Sequence, residues 1–571
     1  MDNIFFLAFR RMRKPLLTLV LTHAIAMLGL ALIPGQDGAG NVWYMDFFHA
    51  FYFVSFMSTT IGFGEIPYEF TDGQRLWVTF SLYTSVVVWF YAIGNLLSLV
   101  QDRAFRQALV ERGFARRIRN LRERFYIICG YGETGSTLVR SLTDRHQSVV
   151  AIDIDQGRVD NLELENLRLY VPAFCGDARR PHHLIEAGLK HPLCRGVVAL
   201  TNVNKVNLKV AITSKLLHPD IRVICRADSH DVEANMRSFG TDYIINPFDT
   251  FALHLATALQ APGLYVLQEW LAGNHQQQLV EPVYPPKSGH WIVCGFGRFG
   301  RAVYHRLKDE GIDPMVVEEK PGLTGVPEGG WVEGRGTEAV TLEEAGIRKA
   351  VGLVAGTDDD SNNLSIIMTA RDLSSDLFVV ARQSNQDNEH IFDAVGADIV
   401  MHPSSIIADR IRVLLGTPLL HEFMGLAMYQ EDEWACNLVQ KIAVLLDTQM
   451  PEVWELSIDP DSALAVSNHL ARGKVVMLSD LILDPRDWER KLPCIPLLVS
   501  RQGNSIMLPP LDTHIKADDR LLFCGKRSAA DSMTWTLENY HALNYVLTGE
   551  ARPQGWFWKI LKNSGAKAAE H

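Results

Sequence analysis

The chain has 571 residues, of which 47% are hydrophobic and 21% are charged, values close to those of an average globular protein. This composition excludes a wholly disordered chain, a collagen and a protein that lies entirely within a membrane. The formal charge of −11, from 55 basic and 66 acidic residues, argues against nucleic acid as the main partner. The length predicts several domains, since a domain takes roughly 150 residues.

Two long segments, 15–36 and 76–101, contain no formally charged residue. About 20 apolar residues in a helix cross a bilayer, so both segments are predicted membrane spans. A cleaved signal peptide is the alternative for the first segment, but its apolar run is long and it lacks a small-residue cleavage site. The loop 37–74 has five acids and no Lys or Arg, whereas 101–124 contains eight Arg. This charge distribution predicts a multi-pass protein of the cell (inner) membrane, with both termini and everything after the second span in the cytoplasm.

The loop between the spans contains a short, mostly apolar segment, 46–57, which is predicted to be a helix too short to cross the bilayer. It leads directly into the sequence TTIGFGE, residues 59–65. Non-helical backbone is tolerated at membrane depth only where it is buried in protein or lines a water-filled path. Gly62 and Gly64 allow backbone angles forbidden to most residues, so successive carbonyl groups can face one axis. Four such loops around an axis would replace the water shell of a potassium ion.

The TTIGFGE segment resembles the selectivity filter of potassium channels, for which TVGYG is the familiar sequence. The resemblance implies a homotetramer in the lipid bilayer, with a filter at 59–64 that holds potassium through the following residues: Thr60, Ile61, Gly62, Phe63 and Gly64. Ile for Val, Phe for Tyr and Glu65 for a common Asp are departures that bear on the degree of selectivity. A glycine-containing surface turn is the alternative interpretation, and the order of span, short helix, loop and span argues against it.

The rest of the chain contains an internal repeat. In each copy an apolar strand precedes a GxGxxG loop, and an acid follows 23 residues after the first glycine. The first loop is Gly130, Tyr131, Gly132, Glu133, Thr134 and Gly135, with Asp153 as the acid; the second is Gly295, Phe296, Gly297, Arg298, Phe299 and Gly300, with Glu318. Further residues, such as Arg226 and Arg382, match at a constant offset of 156. The pattern predicts two Rossmann-like βαβ domains.

A GxGxxG loop between a strand and a helix is typical of dinucleotide binding. Its glycines let a pyrophosphate approach the helix N-terminus, and the acid accepts hydrogen bonds from ribose hydroxyls. Glu133 in the first loop corresponds to Arg298 in the second, where it could clamp a terminal phosphate. We therefore expect NAD in the first site and ADP or ATP, or else NAD, in the second. A Rossmann fold that no longer binds a ligand is the alternative for either copy.

The repeats resemble the domains that regulate conductance of potassium, known as RCK or TrkA-N domains. Residues 176–188 and 201–208 follow that family's pattern, and a weaker match covers 450–525. The resemblance implies a ring of eight such domains, two per subunit, whose rearrangement pulls on the inner helices of the pore. It adds further nucleotide-site residues, namely Asp155, Asp177, Ala178, Thr201 and Arg226 in the first copy and Thr357 and Arg382 in the second.

Three consecutive acids, Asp358, Asp359 and Asp360, could hold a divalent ion such as Ca²⁺. Acids at the beginning of a predicted helix are more typical of caps that complement its dipole, and we favour that interpretation. Some RCK-gated channels bind calcium through acids on the strand that ends here at Arg226. An arginine stands among those positions in this chain, so the sequence predicts no calcium site of that kind.

The sequence therefore predicts a membrane α-helical pore domain with two spans and a pore helix, followed by tandem α/β Rossmann-like RCK domains and a C-terminal α+β lobe. The predicted parts are 1–100 (pore), 101–124 (basic linker), 125–288 (first RCK domain), 289–430 (second N-lobe), 431–550 (second C-lobe) and 551–571 (tail). The predicted function is a potassium-selective channel gated by cytoplasmic nucleotides, and not an enzyme. The alternatives are a membrane-anchored NAD-dependent oxidoreductase and a nucleotide-sensing regulator of a separate potassium transporter.

Overall fold

Two long helices enclose a short one in the first of two structural units, Met1–Asn120. The computed structural model describes residues 2–272, 284–447 and 449–550, so the predicted tail lies outside the described residues. The elements of this unit are α1 (Asp2–Leu32), β1 (Gly35–Gln36), β2 (Val42–Trp43), α2 (Phe47–Ser58), α3 (Asp72–Gln101) and α4 (Arg103–Arg119). Two segments are long and apolar enough to cross a membrane, Met12–Leu32 and Asp72–Gln101.

Local sequence explains where these helices begin and end. The first helix ends at Leu32 rather than at the predicted 36, because Pro34 disfavours helical backbone in the residue before it. The third begins at Asp72 rather than 76, because Thr71 and Gln74 form a capping box. The predicted linker at 101–124 is largely the helix α4, whose first turn is capped by the Asp102 carboxylate.

The short helix α2 packs against both long helices. Ala26 and Leu30 of α1 share a buried cluster with Phe53 and Val54 of α2, and Trp77 of α3 packs against it. The Trp77 indole N–H donates to the Ala26 carbonyl at 3.1 Å. This packing holds the non-helical segment that follows α2.

Two parallel sheets form the centre of the second unit, Leu121–His571. The first copy contains β3 (Phe125–Cys129), α5 (Glu133–Asp144), β4 (Ser148–Asp153), α6 (Gln156–Leu164), β5 (Ala173–Cys175), α7 (Pro181–Glu186), β6 (Cys194–Ala199), α8 (Asn204–Leu217), β7 (Arg222–Arg226), α9 (His230–Ser238), β8 (Tyr243–Ile245), α10 (Pro247–Gln260) and α11 (Pro262–Ala272). The second copy contains β9 (His290–Cys294), α12 (Arg298–Asp309), β10 (Met315–Glu318), α13 (Pro321–Thr324), β11 (Trp331–Glu333), α14 (Ala339–Glu344), β12 (Ala350–Ala355), α15 (Asp360–Leu373), β13 (Phe378–Arg382), α16 (Glu389–Val395), β14 (Ile399–Met401), α17 (Pro403–Gly416) and α18 (Pro418–Ala427). Two 3₁₀ turns lie at Ile347–Lys349 and Gln386–Asn388.

The two sheets have the same strand order, β5-β4-β3-β6-β7-β8 in the first copy and β11-β10-β9-β12-β13-β14 in the second. All neighbouring strands in both are parallel, with register pairs such as Ile128 opposite Ala151 and Val293 opposite Val316. The order reverses direction at β3 and at β9, the strands that precede the two glycine loops. Ligands bind at such switch points in doubly wound folds. The tandem Rossmann-like architecture predicted from the repeat is confirmed.

A smaller α+β lobe follows the second sheet. Its elements are α19 (Asp432–Leu446), β15 (Glu452–Ser457), α20 (Leu464–Ala471), α21 (Leu478–Leu481), β16 (Leu483–Asp484), β17 (Asp487–Lys491), β18 (Cys494–Arg501), β19 (Asn504–Met507), β20 (Arg520–Gly525), α22 (Arg527–Glu538) and α23 (Tyr540–Thr548). Four of its strands form an antiparallel sheet in the order β15-β20-β18-β19. One buried cluster joins this sheet to α11, α18 and α19.

The two Rossmann copies exchange a helix. Phe251, Leu255 and Leu259 of α10 are buried in the core of the second sheet, although α10 follows the first sheet in the chain. Reciprocally, α17 is buried in the core of the first sheet through Ile407 and Ile411. The predicted boundary at 288/289 therefore separates each of these helices from the core it completes.

Candidate functional site

The segment after α2 has an unusual backbone. Thr60, Gly62 and Gly64 have positive φ angles of 62°, 64° and 75°, whereas Ile61 and Phe63 between them do not. A left-handed angle costs a non-glycine residue such as Thr60 roughly 1–2 kcal/mol. Alternation of this kind turns successive amide N–H groups to one side of the chain and the carbonyl oxygens to the other.

Hydrogen bonds identify the side of the segment on which the amide N–H groups lie. The amide of Thr60 donates to the Met57 carbonyl at 3.2 Å, and the amides of Ile61 and Gly62 donate to the Phe56 carbonyl at 3.1 and 3.4 Å. The N–H side of the segment thus faces the end of α2. With alternating φ, the carbonyl oxygens are expected on the opposite side of the segment.

Two side-chain contacts hold the ends of this segment. At its outer end, the Tyr52 hydroxyl donates to a Glu65 carboxylate oxygen at 2.9 Å. At its inner end, Ser58 Oγ lies 2.9 Å from Nε2 of His23 on α1. The Tyr52 side chain extends from α2 to Glu65, the residue directly after the segment. The chain has Phe63 at the position where a tyrosine is common in potassium channels.

The first glycine loop joins β3 to the N-terminus of α5. Gly130 has a φ of 106°, and a Cβ at Gly135 would overlap the Gly130 carbonyl oxygen, so both positions require glycine. The Tyr131 amide donates to Asp153 Oδ2 at 2.5 Å. The predicted acid therefore holds the loop itself, and its second oxygen accepts from the Asp155 amide at 2.8 Å.

The second loop repeats this geometry between β9 and α12. Gly295 has a φ of 95°, and a Cβ at Gly300 would overlap its carbonyl oxygen. The Phe296 amide donates to Glu318 Oε2 at 2.5 Å. Both loops thus present the N-terminus of a helix of 12 residues at the carboxyl ends of the strands. Such a terminus favours anions, because its first N–H groups lack helical partners.

Both loops border one cavity of about 1050 Å³, because the exchanged helices place the two copies face to face. Thirteen of the predicted nucleotide-site residues line it: Tyr131, Gly132, Glu133, Thr134, Gly135, Arg226, Gly295, Gly297, Arg298, Phe299, Glu318, Thr357 and Arg382. We call this cavity the shared cleft.

The other predicted residues do not line the shared cleft. Gly130, Phe296 and Gly300 shape the loops, and Asp153 lies beneath the first. Asp155 caps α6, accepting from the Gly157 amide. Asp177 pairs with Arg179 at 2.8 Å, and Ala178 is buried. The Thr201 hydroxyl donates to Asn207 at 2.7 Å, an arrangement that Thr357 and Asn363 repeat in the second copy at the same distance.

Most other residues of the cleft wall were not predicted, and three of them bear on ligand binding. Arg158 of α6 has a guanidinium nitrogen 3.6 Å from Asp153 Oδ2 and is the nearest side chain to Gly132. Lys320 follows Glu318 by two residues, and Phe248 comes from the exchanged helix α10. The basic residues just after the strand-end acids were visible in the sequence, whereas no local pattern indicates Phe248.

The two copies differ in how their corresponding arginines are paired. In the first, Arg226 donates to Asp228 at 3.0 Å and to Asn202 at 2.9 Å. In the second, Ser384 stands at the position of Asp228, and within the described residues the buried Arg382 Nε and Ser384 Oγ have no hydrogen-bond partner. Arg382 instead lies over the Phe299 ring at 5.0 Å, and burial lowers the pKa of its guanidinium. The second half of the cleft therefore presents a cation and a hydroxyl with free donors.

Two of the three consecutive acids are engaged within their own copy, and Asp358 lines the shared cleft. Asp359 caps α15, accepting from the amides of Ser361 and Asn362. Asp360 accepts from two backbone amides and from the Asn388 side chain. Within the described residues, no group of three or more His, Cys, Asp or Glu side chains is arranged to hold a metal ion. The geometry therefore favours helix caps over a divalent-ion site.

Comparison with known proteins agrees with the presence of a helical N-terminal unit and two Rossmann-like copies. The model of the TrkA-N domain family matches twice, at 126–247 and 291–403, and that of the ion channel family matches 16–102. Probable potassium channel protein 2 of Methanocaldococcus jannaschii is 25% identical over 251 residues, which cover 43% of this chain. The chain spans 67% of that protein and 64% of potassium channel protein 1 of the same organism.

Two further proteins match at higher identity or over more of the chain. The Trk system potassium uptake protein TrkA of Mycobacterium tuberculosis is 31% identical over 246 residues, covering 42% of this chain and 95% of TrkA. A solved structure of the GsuK channel bound to NAD covers 94% of this chain and 99% of its own, with 16% identity and a TM-score of 0.46.

The fold and the two sites define a membrane protein in which an ion-channel pore domain precedes paired Rossmann-like domains. The chain belongs to the TrkA-N family and is homologous to archaeal potassium channel proteins. The RCK resemblance inferred from the sequence is confirmed.

Proposed function

We propose that this protein is a potassium-selective channel whose opening is controlled by nucleotides in the shared cleft. The observation that carries the proposal is the filter segment, in which φ alternates in sign and three amides are tied to α2. One chain supplies one wall of such a filter. Four chains around an axis would give rings of carbonyl oxygens that replace the hydration shell of potassium.

The glycine loops support nucleotide binding. Each places helix N–H groups, a glycine without a side chain and a basic residue on the cleft wall, the combination that binds pyrophosphate. NAD suits the first half, where Arg226 is already neutralised by Asp228. ADP or ATP suits the second half, where Arg298 is largely exposed and Arg382, whose Nε has no hydrogen-bond partner, adds a second positive charge for a terminal phosphate.

Nucleotides would control the pore through a ring of eight TrkA-N domains in the cytoplasm, two from each subunit, that pulls on the inner helices. A swing from 1:99 to 99:1 between closed and open states needs about 5.5 kcal/mol of differential binding. Eight sites would each contribute roughly 0.7 kcal/mol, which corresponds to an affinity difference of about threefold. The requirement on each site is therefore small.

Potassium flux into liposomes that contain the purified full-length chain tests the proposal, with NAD or ADP added on the cytoplasmic side. Gly62→Ala should abolish flux, because alanine at a φ of 64° is strained and distorts the carbonyl rings. Gly38→Ala is the matched control, since Gly38 has neither a positive φ nor an atom within 4 Å of an added Cβ. Flux that survives Gly62→Ala would refute the assignment as a channel. Flux that does not change when a nucleotide is added would refute the control of the pore by nucleotides.

A further inference from the structure

One buried carboxylate connects the two halves of the shared cleft. Asp228 follows β7 of the first copy, and only 7% of its side chain is exposed. One oxygen accepts from Arg226 at 3.0 Å, and the other accepts from Arg298 of the second copy at 2.8 Å. Two arginines that line opposite halves of the cleft thus share one negative charge.

The two arginines are held very differently. Arg226 is 15% exposed and is also fixed by Asn202, so its position is set by its own copy. Arg298 is 66% exposed and lies over the Phe248 ring, with its guanidinium carbon 4.8 Å from the ring centroid. It is the first residue of α12 and directly follows Gly297, where a phosphate at the second glycine loop would lie. A phosphate there competes with Asp228 for the same guanidinium.

We propose that the Asp228–Arg298 ion pair makes the two nucleotide sites antagonistic, an inference that rests on the proposed nucleotide binding. A phosphate-bearing ligand in the second half draws Arg298 away from Asp228. The full charge of Asp228 then falls on Arg226, which attracts an anionic ligand in the first half less strongly. By linkage, a ligand that engages Arg226 returns Asp228 to Arg298 and weakens the second site by the same factor. Repulsion between phosphates in one cavity acts in the same direction.

Calorimetry on the full-length chain in lipid nanodiscs tests this coupling, with NAD titrated in the absence and in the presence of saturating ADP. We expect ADP to weaken NAD binding by about five- to tenfold, at the lower end of common coupling factors. Asp228→Asn keeps the shape of the side chain but removes its charge, and should reduce the factor to about twofold. Arg298→Met, a change at a largely exposed side chain, should do the same once ADP is raised far enough to saturate the weakened second site.

Asp231→Asn is the matched control, because Asp231 is an exposed acid in the first turn of α9 and lies outside the cleft. It should keep the wild-type factor. NAD binding that ADP leaves unchanged or strengthens would overturn the coupling while leaving the proposed function intact. A factor that survives both Asp228→Asn and Arg298→Met would assign the antagonism to direct repulsion and overturn the role of the ion pair. Failure of both nucleotides to bind would instead refute the proposed function.

Discussion

Gly132→Asp places a charge in the first half of the shared cleft with little effect on the fold. Gly132 caps α5 with a φ of −91°, an angle open to any residue. A Cβ at this position meets only the Arg158 guanidinium, at 3.6 Å, an ordinary contact distance. The substitution therefore tests the ligand site alone, unlike changes at Gly130, which needs a positive φ, or at Gly135, which has no room for a Cβ.

Two effects of the new carboxylate act in the same direction. It lies where we propose that the pyrophosphate binds, and two unit charges 4 Å apart repel by about 4 kcal/mol at an effective dielectric constant of 20. It also pairs with Arg158, which removes a cation from the ligand. Allowing solvent to screen half of the repulsion, the loss is about 2–4 kcal/mol, or roughly 30-fold to 1000-fold in affinity for NAD.

Calorimetric titration of the full-length chain with NAD measures this loss. Gly132→Ala is the control, because it adds the same Cβ without the charge and should bind NAD nearly as the wild type does. Gly297→Asp is the corresponding change in the second loop, where no atom lies within 4 Å of the new Cβ, and it should weaken ADP instead. NAD affinity within threefold of the wild type in a folded Gly132→Asp protein would refute the placement of the pyrophosphate.

Other features lead to three further predictions. Gly135→Ala forces a methyl group onto a backbone carbonyl oxygen and should lower the free energy of unfolding by about 1–3 kcal/mol; an unchanged urea midpoint would contradict the overlap. Tyr52→Phe removes the hydrogen bond to Glu65 and should reduce potassium-over-sodium selectivity in reversal-potential measurements; equal reversal potentials would assign no anchoring role to this contact. Six of the eight cysteines are buried, which blocks access to them and raises the pKa of their thiols, whereas Cys175 and Cys436 are partly exposed. Ellman's reagent at pH 8 should therefore label only Cys175 and Cys436 before denaturation, and more than two rapidly reacting thiols would contradict this.

The sequence predicted those features whose physical cause lies in contiguous residues. Gly62 and Gly64 indicate a backbone conformation that only glycine adopts freely, and both have a positive φ in the structure. The repeat of glycine loop, helix and strand-end acid predicted both sheets, because each loop has its acid at the end of the next strand. The sequence predicted that Asp153 accepts hydrogen bonds from ribose hydroxyls, but it did not predict that the carboxylate also accepts one from the Tyr131 amide.

The features that escaped prediction depend on residues far apart in the chain. The Tyr126 hydroxyl donates to the Leu415 carbonyl, a contact between residues 289 positions apart that joins the first sheet to α17. Nothing in the amphipathic pattern of α17 distinguishes the first sheet from the second as its partner. Sequence patterns do not indicate the exchange of helices. The sequence therefore predicted a separate site at each glycine loop, and it did not predict the pairing of Arg298 with Asp228.

The exchanged helices restrict how a ligand can move the two copies. Separating them would withdraw α17 from the first sheet and expose Ile407, Ile411, Leu414 and Leu415, each 5% exposed or less. At about 1.5–3 kcal/mol for each side chain, this costs roughly 6–12 kcal/mol in every subunit. Under the proposed control by nucleotides, a swing from 1:99 to 99:1 between closed and open states needs only about 5.5 kcal/mol for the whole channel. The nucleotide control that we propose therefore requires a change in the angle between the copies around α10 and α17 while both helices stay buried.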